Sequence, residues 1–157
     1  MLTVHESKFD DFGLTFEISE KSRPPSVLQK KFNSEIGEID HVFFTYYQNI
    51  VKNYESKNYV LTCKAPNNTQ DVGYARIVID DFYWNLYEIF IEHDFRELGL
   101  GSQLFEYINN QSKSSKSDIR TYALPSDRQA KNFYESNSIT AKLLVMERKR
   151  EHNRYRP

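Results

Sequence analysis

The period of the apolar positions changes repeatedly along this chain. Leu14-Thr15-Phe16-Glu17-Ile18 alternates with period two, the pattern of a half-buried strand. Pro24-Pro25 then ends any regular element. From Ile39 the apolar residues fall at Val42, Phe43, Tyr46, Tyr47, Ile50, Val51 and Tyr54, three and four apart. That spacing predicts an amphipathic helix of about four turns. β-Branched and aromatic residues next predict strands over 59–63, 72–79 and 84–91. The turn chemistry of Pro66-Asn67-Asn68 and the polar break Asp80-Asp81 separate them, so they read as an antiparallel meander. Beyond it the pattern predicts a helix over 99–110, a strand over 119–124, a helix over 126–136 and a strand over 139–146. The Ser-rich run 111–118 reads as a surface loop. Ser126-Asp127-Arg128-Gln129 has the form of a capping box with Ser126 at the cap. The order predicts an α/β (α+β) fold with a mixed, largely antiparallel sheet flanked by helices.

Composition narrows the classes. The 157 residues fit one domain, 1–157, with a basic tail over about 147–157. A net charge of -1 argues against a general nucleic-acid binder. No stretch approaches the roughly 20 apolar residues of a membrane span, and the first residues lack the features of a signal peptide. A cytoplasmic protein without a membrane partner is the expectation. Cys63 is the single cysteine, and His5, His41, His93 and His152 are scattered, so no disulfide and no metal site are expected. Cys63 reads as a buried small apolar residue, and His93 as a turn residue.

The chemistry concentrates around two glycines. Arg96-Glu97-Leu98-Gly99-Leu100-Gly101-Ser102 follows a predicted strand and opens a predicted helix. Unpaired N–H groups and the dipole of a helix start make an anion site, and glycine lets a phosphate approach the backbone. There is no Gly-Lys-Ser/Thr and no GxGxxG spacing, so neither a Walker loop nor a dinucleotide fold is indicated.

The stretch from Ile89 to Gly101 resembles motif A of the GNAT (Gcn5-related) N-acetyltransferases, which ends a strand and places Arg/Gln-x-x-Gly-x-Gly/Ala at a helix start. Asp127-Arg128-Gln129-Ala130-Lys131-Asn132-Phe133-Tyr134-Glu135-Ser136 is similar to motif B. The resemblance covers about 72–136. It implies a GNAT-like fold and acetyl-CoA as acyl donor. The backbone of Ile89, Phe90 and Ile91 would pair with the pantetheine arm. Backbone N–H groups from Arg96 to Ser102 (Arg96, Glu97, Leu98, Gly99, Leu100, Gly101 and Ser102) would hold the pyrophosphate. Asp127 and Tyr134 would sit at the pantetheine end and the thioester sulfur, with Tyr134 as general acid. Four departures stand out. Asp127 replaces the usual Asn, and Glu97-Leu98 adds a negative charge. Ser138-Ile139 replaces Gly-Phe. Only 18 residues follow Ile139, where the family carries a two-strand hairpin. Either the sheet is one strand short, or another copy of the chain supplies the last strand in a homodimer.

For the base, Glu88 is a candidate: it shares a face with Phe90 and Glu92 if the strand is regular. A bulge would invert that face, so the choice between Glu88 and residues such as Tyr87 or Asn85 stays open. Tyr122 could orient a water. The acidic residues between Asp80 and Glu97 form an electronegative rim suited to a cationic amine acceptor. The expected activity is direct acetyl transfer to a primary amine of a small molecule or a protein. A non-catalytic acyl-CoA-binding or regulatory module of the same fold is the alternative.

Overall fold

The computed structural model describes residues 7–11, 14–40 and 55–148. Six strands form one sheet in sequence order: β1 (Ser7–Asp11), β2 (Leu14–Lys21), β3 (Ser56–Ala65), β4 (Asn68–Ile79), β5 (Tyr83–Ile91) and β6 (Asp118–Thr121). Neighbours run antiparallel from β1 to β5, and β5 pairs with β6 in parallel. The predicted meander, β3 to β5, is therefore the last part of a longer antiparallel run. Three helices are described: α1 (Ser26–Ile39), α2 (Leu100–Ser114) and α3 (Arg128–Ser136).

Alternation divides the strands between two cores. On one face Tyr59, Leu61, Ile77, Trp84 and Leu86 pack against Leu100, Leu104, Phe105 and Ile108 of α2 and Tyr134 of α3. On the other face Val60, Tyr74 and Phe90 pack against Leu28, with Phe32 beside them. α1 therefore covers the face opposite α2 and α3. Truncating a fully buried side chain such as Leu86 to Ala would cost about 2–5 kcal/mol. Trp84 is 3% exposed and lies opposite Ile119 of β6. Cys63 is buried and free, as its strand position suggests.

Five expectations are corrected. The Ser-rich run expected as a loop is helical to Ser114, with Ser112 buried, and only 115–117 connect α2 to β6. The run 139–146 forms no strand, and residues 140–148 are exposed. The strand expected over 119–124 is the shorter Asp118–Thr121. The helix expected from Ser126 begins at Arg128, because Asp127 is the cap and its carboxylate accepts from the Ala130 N–H at 3.0 Å. α1 arises where the sequence suggested only a break. Pro25 closes the preceding loop at the N-cap, and Leu28, Phe32, Ile36 and Ile39 recur at near-helical spacing. The helix expected from Ile39 to Tyr54 lies, beyond Asp40, outside the described residues. Among the described residues no helix is long and apolar enough to cross a membrane.

Candidate active site

β5 and β6 pair only from Tyr83 to Leu86 and from Asp118 to Thr121. Past that point, no described strand pairs with the same edge of β5. The cause lies in β5 itself. Arg76 of β4 faces Glu88 but Ile77 faces Leu86, so Tyr87 is an extra residue. Such a bulge bends and twists its strand away from the ladder. Leu86 and Ile89 consequently both reach the core on the α2 side, which a regular strand forbids. Gly73 lets the end of β5 cross close over β4. A Cβ there would lie 2.7 Å from Ile91 Cδ1 and 3.0 Å from the Phe90 carbonyl oxygen.

The splay opens a cleft of about 370 Å³, within the roughly 300–1,000 Å³ of small-molecule sites. Tyr87, Ile89, Phe90 and Ile91 line one wall, and Tyr122, Ala123 and Leu124 the other. Phe133 and Tyr134 line it from α3, and Phe32, Glu35, Ile36 and Ile39 from α1. The loop leading into α2 forms one end.

That loop is built for an anion. Glu97 (φ 67°) and Gly99 (φ 78°) both adopt the left-handed conformation, and Gly99 is the N-cap of α2. No side chain caps this helix. Among the described residues, no backbone acceptor meets the N–H of Glu97, Leu98 or Gly99. These donors and the helix dipole favour negative charge. Gly101 keeps the first turn close to α3, since a Cβ would sit 3.1 Å from the Phe133 ring. Ser102 Oγ accepts from Asn137 Nδ2 at 3.3 Å.

Two loop residues behave differently from expectation. Leu98 packs against the core and does not line the cleft. Arg96 donates its N–H to the His93 carbonyl at 3.2 Å, within the single-turn 3-10 helix His93–Phe95. Its side chain instead makes a fork with Glu35 of α1, at 3.2 and 2.9 Å, and bonds the Ile91 carbonyl through Nε at 2.7 Å. Lys31 of α1 likewise pairs with Glu92 and holds its carboxyl below the usual carboxylate range.

Tyr134 lies on α3 with its side chain buried and its ring beside Phe105 and Phe133. Its hydroxyl makes no hydrogen bond among the described residues. Burial, and secondarily the charge of Asp127, push its pKa up, so it stays protonated. Glu88 is 1% exposed and does not line the cleft. Its carboxylate accepts from the Tyr74 hydroxyl at 2.6 Å, from Gln29 Nε2 at 3.1 Å and from Arg76 Nη1 at 3.1 Å. It does share the α1 face with Phe90 and Glu92, because the bulge falls before it. Tyr122 stacks on Tyr87 with ring centroids 4.5 Å apart and donates to Asn85 Oδ1 at 2.8 Å. Sequence reasoning missed Gly73, Glu35 and the α1 residues. A Gly inside a strand pattern was the one available signal for Gly73.

Comparison with known proteins matches residues 56–137 to the family model described as "Acetyltransferase (GNAT) domain". No curated protein sequence matches the chain. Among solved structures, a putative acetyl transferase from Pyrococcus furiosus superposes with TM-score 0.65 at 17% identity, covering 85% of this chain and 99% of that one. The aminoglycoside N-acetyltransferase AAC(6')-Iy in complex with CoA gives TM-score 0.59 at 10% identity, covering 88% and 97%. An aminoglycoside acetyltransferase from an uncultured soil metagenomic sample, in complex with sisomicin, gives 0.54 at 17% identity, covering 86% and 95%. At these identities the likeness concerns the fold.

Proposed function

This chain belongs to the GNAT acetyltransferase family, and from that premise we propose that it transfers an acetyl group from acetyl-CoA directly to a cationic primary amine. One observation carries the reading. A single cleft joins the unpaired edge of β5, the uncapped start of α2 and the Tyr134 hydroxyl. Each part suits one segment of the donor. The loop N–H groups of Glu97, Leu98 and Gly99 would take the pyrophosphate. The backbone of Ile89, Phe90 and Ile91 offers strand-like hydrogen bonds to the pantetheine amides. Asp127 cannot donate from an ionised carboxylate, and its Oδ1 already caps α3. It therefore supports the site through α3.

Acetyl-CoA supplies the activated thioester. The amine nitrogen forms the new bond to the acetyl carbon as the carbon–sulfur bond breaks. The departing sulfur takes a proton from Tyr134, whose hydroxyl is kept protonated by burial; the new amide nitrogen then sheds its extra proton to solvent, and Tyr134 regains one from solvent. The ammonium must lose its proton first. Carboxylates lining the cleft, Asp127 among them, would draw the cation toward it, and its proton passes to solvent. Glu88, enclosed behind the wall by three donors, would act by fixing the bend of β5.

Thiol release from acetyl-CoA across a panel of primary amines tests the reading. Tyr134→Phe is expected to keep acetyl-CoA affinity while kcat falls by roughly 10²–10⁴. Wild-type binding of acetyl-CoA without thiol release to any amine would favour the non-catalytic module. Unchanged turnover in Tyr134→Phe would remove the acid assignment.

A further inference from the structure

β5 and β6 part after Leu86 and Thr121, and the next residue on each side is a tyrosine. Tyr87 and Tyr122 stack across the gap with their rings 13° from parallel, and both line the cleft. Asn85 anchors this pair. It lies between Trp84 and Leu86, which both enter the α2-side core, so its own side chain points to the α1 face. Asn85 is 3% exposed, and its neighbours leave its amide one orientation. Nδ2 donates to the Val78 carbonyl at 3.1 Å and to Asp80 Oδ2 at 3.0 Å, with the Tyr83 carbonyl at 3.4 Å. A flipped amide would turn an oxygen toward those three oxygens. Asp80 is itself fixed, because its Oδ1 accepts from the N–H groups of Phe82 and Tyr83. Asn85 Oδ1 is thus left facing Tyr122. It carries no proton, so the phenol is the donor in their 2.8 Å contact. The proton of Tyr122 is committed to Asn85, and toward a ligand its oxygen can only accept.

We infer that Tyr122 binds the acceptor, its oxygen taking one N–H of the attacking amine, and that Asn85 is the positioning residue that makes Tyr122 a hydrogen-bond acceptor. This deepens the acetyl-transfer reading and rests on it. Tyr134 enters the cleft from the α2 side and Tyr122 from the α1 side. Donor sulfur and incoming amine therefore have separate hydroxyls, one free to give its proton and one not. A neutral primary amine has two N–H groups and one lone pair. Fixing one N–H on Tyr122 restricts where the lone pair points, and direct attack on a thioester needs that orientation. The contact also suits the protonation state. A carboxylate beside the nitrogen would stabilise the ammonium and oppose its deprotonation, whereas a phenol oxygen is uncharged. Arg120, on β6 two residues before Tyr122, acts in the same sense. Its guanidinium lies 3.5 Å from the Tyr83 ring centre and neighbours the Tyr122 hydroxyl, so a second positive charge there is disfavoured. The carboxylates draw the cation toward the cleft, and the Tyr122 corner holds the neutral amine that attacks. Tyr122 is 39% exposed, which leaves it open to a ligand.

The test uses n-butylamine, benzylamine, spermidine and kanamycin as acceptors. Thiol release is followed for each, and calorimetry measures binding of the best one to the protein loaded with CoA. Tyr122→Phe keeps the ring that stacks on Tyr87 and loses only the oxygen. It is expected to raise the amine KM, and the amine Kd in the CoA complex, roughly tenfold, with KM for acetyl-CoA unchanged. Asn85→Ala should raise the same two constants. Added to Tyr122→Phe it should raise them no further, because it acts through the phenol. Asn85→Ser provides the same cycle if the Ala variant does not fold. An active Tyr122→Phe with unchanged amine KM and Kd would overturn the inference and leave the acetyl-transfer reading standing. A parallel rise in KM for acetyl-CoA would count against it too, as a general disturbance of the cleft. Additive effects of the two substitutions would overturn the role of Asn85. Wild-type protein that binds acetyl-CoA and releases thiol to no amine would remove the acetyl-transfer reading and this inference together.

Discussion

Tyr59 is fully buried at the centre of the sheet, and among the described residues its hydroxyl meets no acceptor. Burial first, then the charges of the Glu20 carboxylate and the Tyr107 phenolate, push its pKa up. Tyr59→Phe removes an unsatisfied buried group while keeping the packing. It should stabilise the protein by about 1 kcal/mol at neutral pH, a rise in Tm of roughly 2–4 °C. The sign of the pH effect follows from linkage. The folded state holds this proton more tightly than the unfolded chain, so the contribution is complete below the ordinary tyrosine value of about 10 and is lost as pH rises above it. Tm measured from pH 9 to 11 should therefore fall less steeply in Tyr59→Phe than in wild type; an equal fall would contradict this. Tyr134 shares the raised pKa but lines the cleft, and its proposed role as acid rests on that difference. Its place was legible because motif spacing fixes a helix position. Glu88 was legible only in part. Its face could be argued from period two, but Tyr74, Arg76 and Gln29 reach its carboxylate from three separate segments, and no local pattern announces that.

α1 ties the site together through two charged contacts, Glu35 with Arg96 and Lys31 with Glu92. The Arg96 fork also holds the Ile91 carbonyl, so one side chain links helix, strand end and anion loop. A lysine cannot reproduce that planar fork. Arg96→Lys should raise KM for acetyl-CoA roughly tenfold, about 1.4 kcal/mol, with kcat nearly unchanged. Steady-state kinetics at varied acetyl-CoA would show it, and a fall in kcat alone would argue against a positioning role. At this scale the sheet was the most readable part, since strands 72–79 and 84–91 carry strong β-branched and aromatic patterns. α1 was hidden because only Leu28 is fully buried on it, while Phe32, Ile36 and Ile39 line the cleft and Val27 is exposed. The run 139–146 was misread for the opposite reason. Its residues favour a strand, but a strand needs an edge to pair with, and none of the described strands pairs with this run.

Over the whole molecule, the near-neutral total conceals two unlike parts. From Glu147 onward the sequence holds Arg148, Lys149, Arg150, Arg154 and Arg156 against Glu147 and Glu151, a net of +3, so the rest carries -4. An acidic body with carboxylates on the cleft should steer a cationic amine toward it. For such an acceptor, kcat/KM should fall several-fold as salt rises from about 10 mM to about 1 M, where screening shortens from roughly 30 Å to roughly 3 Å. An uncharged amine should show almost no change, and equal responses would remove the steering. The same layout gives the molecule an optical property. Trp84 is the sole tryptophan, and it sits in the short stretch where β5 and β6 are still joined, with the Lys57 ammonium 5.2 Å from its ring centre. The protein thus carries one indole, shielded from water, at the base of its cleft. A change in the angle between those two strands alters the electric field at that indole and hence the colour of its emission.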